Sequence, residues 1–479
     1  MSLEGSAVWL LTFALHYALQ LAVLVRALTR PDREPASRLA WVLVVLAVPG
    51  LGVVLYLLLG EVNPGRKLLA QMRGVHARLP KMPDGLAAVE VPAPLHAVFA
   101  RAAVVNGFAP LAGNSAALTT GSDEAIDRMV EDIDAATRTV HILVYIWLDD
   151  ANGRKLAAAV IRAARRGVTC RCMVDALGSR IFLRSATWAG MRAAGVHTGT
   201  AFATNWAPLR LLIGRIDIRN HRKIFVIDGR VAYVGSQNCA DPAFAIKARY
   251  APWVDILLRV EGPVAWQTQQ LFVADWTVHA GEDIADLLAG SPPPATGGFP
   301  ALVFGTGPVG TPNAVPDVAI LALASARHTV ILTTPYFVPT TALAEQLRAT
   351  ALRGVAVTLI LPQRNDSRFV GLASRAFYAG LLRAGVRVAE YRPGLLHAKT
   401  LTVDGQLALI GSANLDRRSF ELNFENSLLI ADPATTCAIA ARQNAYLADS
   451  SPVARETVEG WGLGRRLLYN LAATISPVL

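Results

Sequence analysis

HRKIFVIDGRVAYVGSQN at residues 221–238 and HAKTLTVDGQLALIGSAN at residues 397–414 carry one set of residues in one order: a histidine, a lysine two positions on, an aspartate five further, then Gly-Ser-x-Asn. In each, two apolar runs flank an Asp-Gly pair, the pattern of a tight β-hairpin. Asp228-Gly229 and Asp404-Gly405 therefore read as turns, which gives both aspartates a structural reason to be there. Alternate residues of a strand share a face. His221 then points the same way as Lys223, and His397 the same way as Lys399. The return strands bring Ser236 and Asn238, or Ser412 and Asn414, alongside. Neither propensity nor core packing asks for such a set, so its reason is chemical.

The surroundings repeat too. AIDRMVEDIDAATRTVHILVYIWLDD at 125–150 and AVPDVAILALASARHTVILTTPYFVP at 314–339 each read as a helix and an apolar strand, and each continues into an alanine-rich helix, an Arg-Gly turn and another apolar strand. Helices alternating with near-continuous apolar strands predict an α/β fold: two similar lobes with mixed, largely parallel sheets flanked by helices. The expected division is 1–60 for two transmembrane helices, 61–115 for a basic linker and helix, 116–290 for the first lobe and 300–479 for the second. A Gly/Pro-rich break at 289–300 marks the join between the lobes.

The transmembrane expectation rests on residues 7–25, which hold no charged residue apart from the titratable His16, and on residues 39–59, which hold none at all. The first run also has the character of a secretion signal, and either could be a core helix. Basic residues flank the second run on both sides, so charge assigns no orientation. A net charge of +10 suits anionic partners, and the apolar runs favour a lipid surface over nucleic acid. Four cysteines without ligand spacing predict buried thiols, with neither a disulfide nor a zinc site.

Two imidazoles facing each other from two lobes, among lysines and amides, suit phosphodiester exchange. One neutral histidine attacks phosphorus while the other, protonated, gives its proton to the departing alkoxide. The lysines and asparagines hold the non-bridging oxygens as charge builds on them. The motif residues supply this without a metal or other cofactor. Each histidine also needs a group on its second nitrogen. Asp255 of APWVDILLRV is the expected partner in the first copy, and Glu425 of ELNFENSLLI in the second, because each is a single acid in an apolar strand run.

The pattern H-x-K-x4-D-x6-G-S-x-N, intact in both copies, resembles that of the phospholipase D superfamily. Over essentially its whole length the chain is similar to the bacterial cardiolipin synthases within it. It shares the paired apolar N-terminal segments, GEVNPGRK at 60–67, VYIWLDD at 144–150, TPYFVP at 334–339 and GSANLDRRSFELNFE at 411–425. The resemblance implies a catalytic set of His221, Lys223, Asp228, His397, Lys399 and Asp404, supported by Ser236, Asn238, Ser412, Asn414, Asp255 and Glu425. It implies transfer of a phosphatidyl group between two phosphatidylglycerol molecules, in a multi-pass protein of the bacterial inner membrane, with no nucleic acid as partner. It also implies that the first-motif histidine, His221, is the nucleophile; the residues alone do not distinguish it from His397. Hydrolysis of phospholipid head groups is the alternative. The copies differ beyond the motif, where Cys239 follows Asn238 and only the second copy carries Arg417-Arg418.

Tyr145 and Trp147, with Tyr336 and Phe337 in the second copy, are candidates either for a slot beside the phosphate or for core packing. The C-terminal stretch from Trp461 reads as a helix lying either on the bilayer or on the second lobe.

Overall fold

The computed structural model describes residues 3–31, 35–62, 64–82, 85–203, 215, 217–290, 298–311 and 313–475. Helix α1, Leu3–Thr29, contains an apolar stretch at Val8–Thr29 whose side chains are largely exposed. Among the described helices it alone is long and apolar enough to cross a membrane. The second expected span is a correction. Residues 35–60 form α2 at Pro35–Ala47, α3 at Leu51–Leu55 and a π-helical turn at Tyr56–Gly60. The break falls at Pro49-Gly50, where Pro49 has no amide proton and Gly50 takes φ 81°. Immediately beyond it the chain folds back so closely that a Cβ on Gly52 would lie 2.4 Å from the Val44 carbonyl. Val23, Trp41, Val45, Val53 and Tyr56 form the small interior of this unit.

The first copy of the repeat supplies β1 (Leu111–Leu118), β2 (Thr139–Val144), β3 (Thr169–Asp175), β4 (His197–Ala201) and β5 (Arg219–Asn220). It continues with β6 (Ile224–Ile227), β7 (Val231–Gly235), β8 (Trp253–Val254) and β9 (Leu257–Glu261). The second supplies β10 (Phe299–Thr306), β11 (Thr329–Thr333), β12 (Phe337–Val338), β13 (Ala356–Pro362), β14 (Arg387–Tyr391) and β15 (Leu395–Leu396). After these come β16 (Thr400–Val403), β17 (Leu407–Gly411), β18 (Leu415–Asp416), β19 (Asn423–Ala431) and β20 (Ser450–Pro452). One continuous sheet joins the two copies in the order β20-β14-β13-β11-β16-β17-β19-β10-β1-β9-β7-β6-β2-β3-β4. The order reads the same outward from the antiparallel β1–β10 pair in both directions until β20, so the repeat is visible as two matching halves.

This sheet corrects the expectation of largely parallel strands. Within it, parallel ladders are confined to β2–β3–β4 and β11–β13–β14, with a short β5–β19 pairing at its margin. Each motif forms an antiparallel hairpin, β6–β7 or β16–β17, and the strands joining the halves are antiparallel as well. Continuous apolar runs report coverage of both sheet faces, and the central antiparallel strands are covered on both faces here. The helix Pro263–Ala280 is buried over nearly its whole length, and one core cluster runs from Val98 through Phe272 to Leu428 across both halves. Most of the expected Gly/Pro-rich break, residues 291–297, lies outside the described residues.

The helix Leu463–Ile475 packs through Ala472 against the helix Arg368–Arg375, while Leu463, Leu467, Leu468 and Leu471 stay exposed. Cys170, Cys172 and Cys239 are buried thiols, and Cys437 is exposed.

Candidate active site

Both Asp-Gly turns adopt left-handed backbone at the aspartate, with φ 53° at Asp228 and 52° at Asp404. The Asp228 carboxylate accepts from the amides of Thr137, Arg138 and Thr139, at 2.8–2.9 Å. Asp404 accepts from those of Arg327, His328 and Thr329, at 2.7–2.8 Å. Each aspartate thus ties its hairpin to the start of β2 or β11. His221 and His397 lie at the opposite ends of the hairpins, seven residues away, which is about 23 Å at the rise of a strand. The aspartates shape the motif and do not reach the imidazoles.

At the other end the strands run close together. A Cβ on Gly235 would meet the Ile256 carbonyl at 2.2 Å, and one on Gly411 the Asn426 carbonyl at 2.4 Å. Glycine is therefore obligatory before the motif serine. It lets the amides of Ser236 and Ser412 donate to those same carbonyls, each at 2.9 Å.

The orienting acids are present but exchanged between the copies, contrary to the expected pairing. His221 Nδ1 lies 2.9 Å from Oε2 of Glu425, and His397 Nδ1 lies 2.6 Å from Oδ1 of Asp255. The exchange follows from the strand pairing. β5 runs parallel to the start of β19, and the His221 amide donates to the Phe424 carbonyl. β8 runs parallel to β15, and the His397 amide donates to the Val254 carbonyl. Each histidine therefore stands beside the strand of the other half. The motif serines complete the arrangement: Ser236 donates to Asp255 and Ser412 to Glu425.

A carboxylate only accepts, so each neutral ring carries its proton on Nδ1 and turns a free Nε2 lone pair outward. Burial pushes His221 down to about 4 and lowers His397 too, the lysines adding to both shifts, so both rings are neutral at pH 7. Burial would raise Glu425 and Asp255, but the facing imidazoles and lysines outweigh it and hold both below the ordinary carboxylate range. Lys223 and Lys399 are buried as well, and desolvation pulls them down to about 8 and about 7. Each ammonium donates to the carbonyl of its own histidine, Lys223 at 2.9 Å and Lys399 at 2.6 Å. Two ammonium groups so deeply buried are costly without a counter-charge. The carboxylates of Glu425 and Asp255 supply it in part, both acting on Lys223 and Lys399.

A cavity of about 520 Å³ opens over this cluster. His221 and Asn238 line it, as do Tyr145, whose ring centre is 5.0 Å from that of His221, and Trp253, 4.8 Å from that of His397. Asn238 accepts from the Ile146 amide, while the buried Asn414 oxygen has no hydrogen-bond partner among the described residues. The aromatic candidates divide. Tyr145, Trp147 and Tyr336 line the cavity, Trp147 with its ring packed into the first-half core, whereas Phe337 is fully buried in a core and does not line it.

Sequence reasoning passed over several participants. Asn423 donates to Glu425, and Asn426 exchanges hydrogen bonds with the Lys223 backbone. Both are polar residues in the apolar strand that carries Glu425, a signal open to the same reading that found the acid. Asp366 in the cavity wall takes the Tyr336 hydroxyl at 2.6 Å and pairs with Lys247 across the two halves. No local pattern announces that pair.

The fold and this duplicated, cross-braced histidine site define a two-lobed phospholipase D-like protein. The fold is shared with the crystal structure of phosphatidylserine synthase from Haemophilus influenzae, which covers 77% of this chain and 97% of its own at 14% identity and a TM-score of 0.54. The family model described as "Cardiolipin synthase, PLD-like domain" matches residues 129–276 and 320–447, and "Phospholipase_D-nuclease N-terminal" matches residues 18–61. Cardiolipin synthase A of Edwardsiella ictaluri is 36% identical over 92% of both chains. Cardiolipin synthase A of Escherichia fergusonii is 34% identical over 97% of both. The chain belongs to the cardiolipin synthase family of phospholipase D-like proteins.

Proposed function

We propose that this protein is a cardiolipin synthase that moves a phosphatidyl group from one phosphatidylglycerol to the terminal glycerol hydroxyl of another. Membership of the family makes it a membrane-associated phosphatidyltransferase acting on phospholipid. The observation that carries the chemistry is the cross-bracing: each imidazole is aimed by a carboxylate of the other half over two buried lysines.

His221 lines the cavity and is the nucleophile in this reading. The bound diester brings negative charge to a site where burial has lowered both histidines, and that charge favours the imidazolium form of His397. His221 Nε2 attacks phosphorus, the bond to the glycerol oxygen breaks, and His397 gives that oxygen its Nε2 proton. Lys223 and Lys399 hold the non-bridging oxygens. A second phosphatidylglycerol then enters, its hydroxyl loses its proton to His397, and its oxygen displaces His221 from phosphorus. Cardiolipin and one glycerol are the products.

The test is purified enzyme with labelled phosphatidylglycerol as the only lipid. Cardiolipin and free glycerol in equal amounts are expected; phosphatidic acid as the main product would show that water, not lipid, is the second nucleophile. His221→Ala and His397→Ala are each expected to abolish turnover in folded protein.

A further inference from the structure

A cavity of about 520 Å³ suits a drug-sized group and is far too small for the acyl chains of a phospholipid. The chains must remain outside while the phosphodiester reaches His221. At the mouth stand three exposed apolar side chains, Leu177, Ile181 and Ile246, which are 45%, 59% and 47% accessible. Leu177 and Ile181 come from the loop after β3, with the exposed Arg180 between them. Ile246 comes from the helical turn Ala245–Tyr250, beside Lys247. Large apolar side chains clustered with basic ones around an opening mark an interaction surface rather than ordinary exterior.

The N-terminal unit locates that opening. The Leu59 carbonyl, in the π-helical turn that ends the unit, accepts from Arg215 Nη1 at 2.6 Å. Arg215 pairs with Asp217, and Asp217 pairs at 3.3 Å with Arg418, which lines the cavity. The foot of the apolar helices is thus two ion pairs away from the cavity wall.

We propose that the mouth of the cavity is seated in the bilayer surface, with Leu177, Ile181 and Ile246 among the upper acyl carbons and Arg180 at the level of the anionic head groups. A lipid then bends only its phosphodiester into the site and keeps its chains in the leaflet. The proposal rests on the phospholipid reading given above.

The experiment uses the full chain in nanodiscs of phosphatidylglycerol and phosphatidylethanolamine. A bimane label is placed at Ile181→Cys, and separately at Ile246→Cys, in a Cys437→Ser background that removes the exposed thiol. Lipids carrying a nitroxide on the acyl chain are expected to quench both labels several-fold more than aqueous iodide does. The control is Leu352→Cys, a still more exposed leucine just before β13, at the sheet end remote from the site; there iodide is expected to quench more. Iodide quenching that exceeds lipid quenching at both rim positions overturns the proposal. Lipid quenching at the rim in an enzyme that forms no cardiolipin would leave the seat standing and remove the transferase reading instead.

Discussion

In the proposed mechanism His221 must be unprotonated to attack, which holds above about pH 4, and Lys223 must keep the proton with which it holds an anionic oxygen, which holds below about pH 8. Lys399 loses its proton sooner, near 7, because it is desolvated and also faces Lys223. His221 acts above its pKa while His397 and the lysines act below theirs. Therefore kcat/KM should rise through an acid limb near pH 4, fall above the lowered pKa of His397, and fall further between about pH 7 and 8 as the lysines lose their protons. The profile of kcat should extend further on the alkaline side, since bound phosphodiester raises both lysines. A flat kcat/KM from pH 6 to 9.5 would show that the lysines are not titrating in the free enzyme. At the same scale Glu425→Gln keeps an acceptor for Nδ1 but removes the charge. It should slow formation of the phosphoenzyme on the order of 10³-fold, measured by rapid quench, in protein that still folds. An unchanged rate would mean that the carboxylate only orients the ring.

Each motif hairpin has two ends with separate duties, and substitutions should divide accordingly. Asp404→Ala removes the acceptor of three amides at the turn and should cost about 1–3 kcal/mol of stability, seen as a lower melting temperature. Its turnover per folded molecule should fall far less than that of His397→Ala. Gly411→Ala drives a methyl group into the Asn426 carbonyl and should cost a similar 1–3 kcal/mol. Because it also displaces Ser412 from Glu425, it should lose most of its activity even where it remains folded. Comparable activity losses at Asp404 and Gly411 would contradict this division. The hairpins themselves were legible from the apolar runs on either side of Asp-Gly. The direction of the remaining strands was not, because apolar runs record burial on both faces and say nothing about chain polarity.

At the scale of the whole molecule, neither half holds a complete site. The second half alone would keep His397 and Lys399 but lose Asp255, and the first would keep His221 and Lys223 but lose Glu425. Separately produced halves should therefore show no turnover, assayed with labelled phosphatidylglycerol. Activity in either half would refute the cross-bracing. In the proposed mechanism two lysines supply the positive charge at phosphorus, so EDTA should leave the rate of the intact chain nearly unchanged. A loss restored only by a divalent ion would point to another mechanism.

The sequence by itself determined the inventory: two imidazoles, two ammonium groups, the Asp-Gly turns and the two lone acids, because chemistry of this kind needs particular side chains at short spacings along a strand. It also determined that the chain is built from a repeat and begins with an apolar unit. Only the tertiary structure decided which acid serves which histidine, since that depends on β5 lying beside β19 and β8 beside β15, contacts between residues far apart in the chain. The same holds for the second apolar run. Its composition would allow a membrane span, but the turn at Pro49-Gly50 and the fold-back onto Val44 divide it into shorter helices.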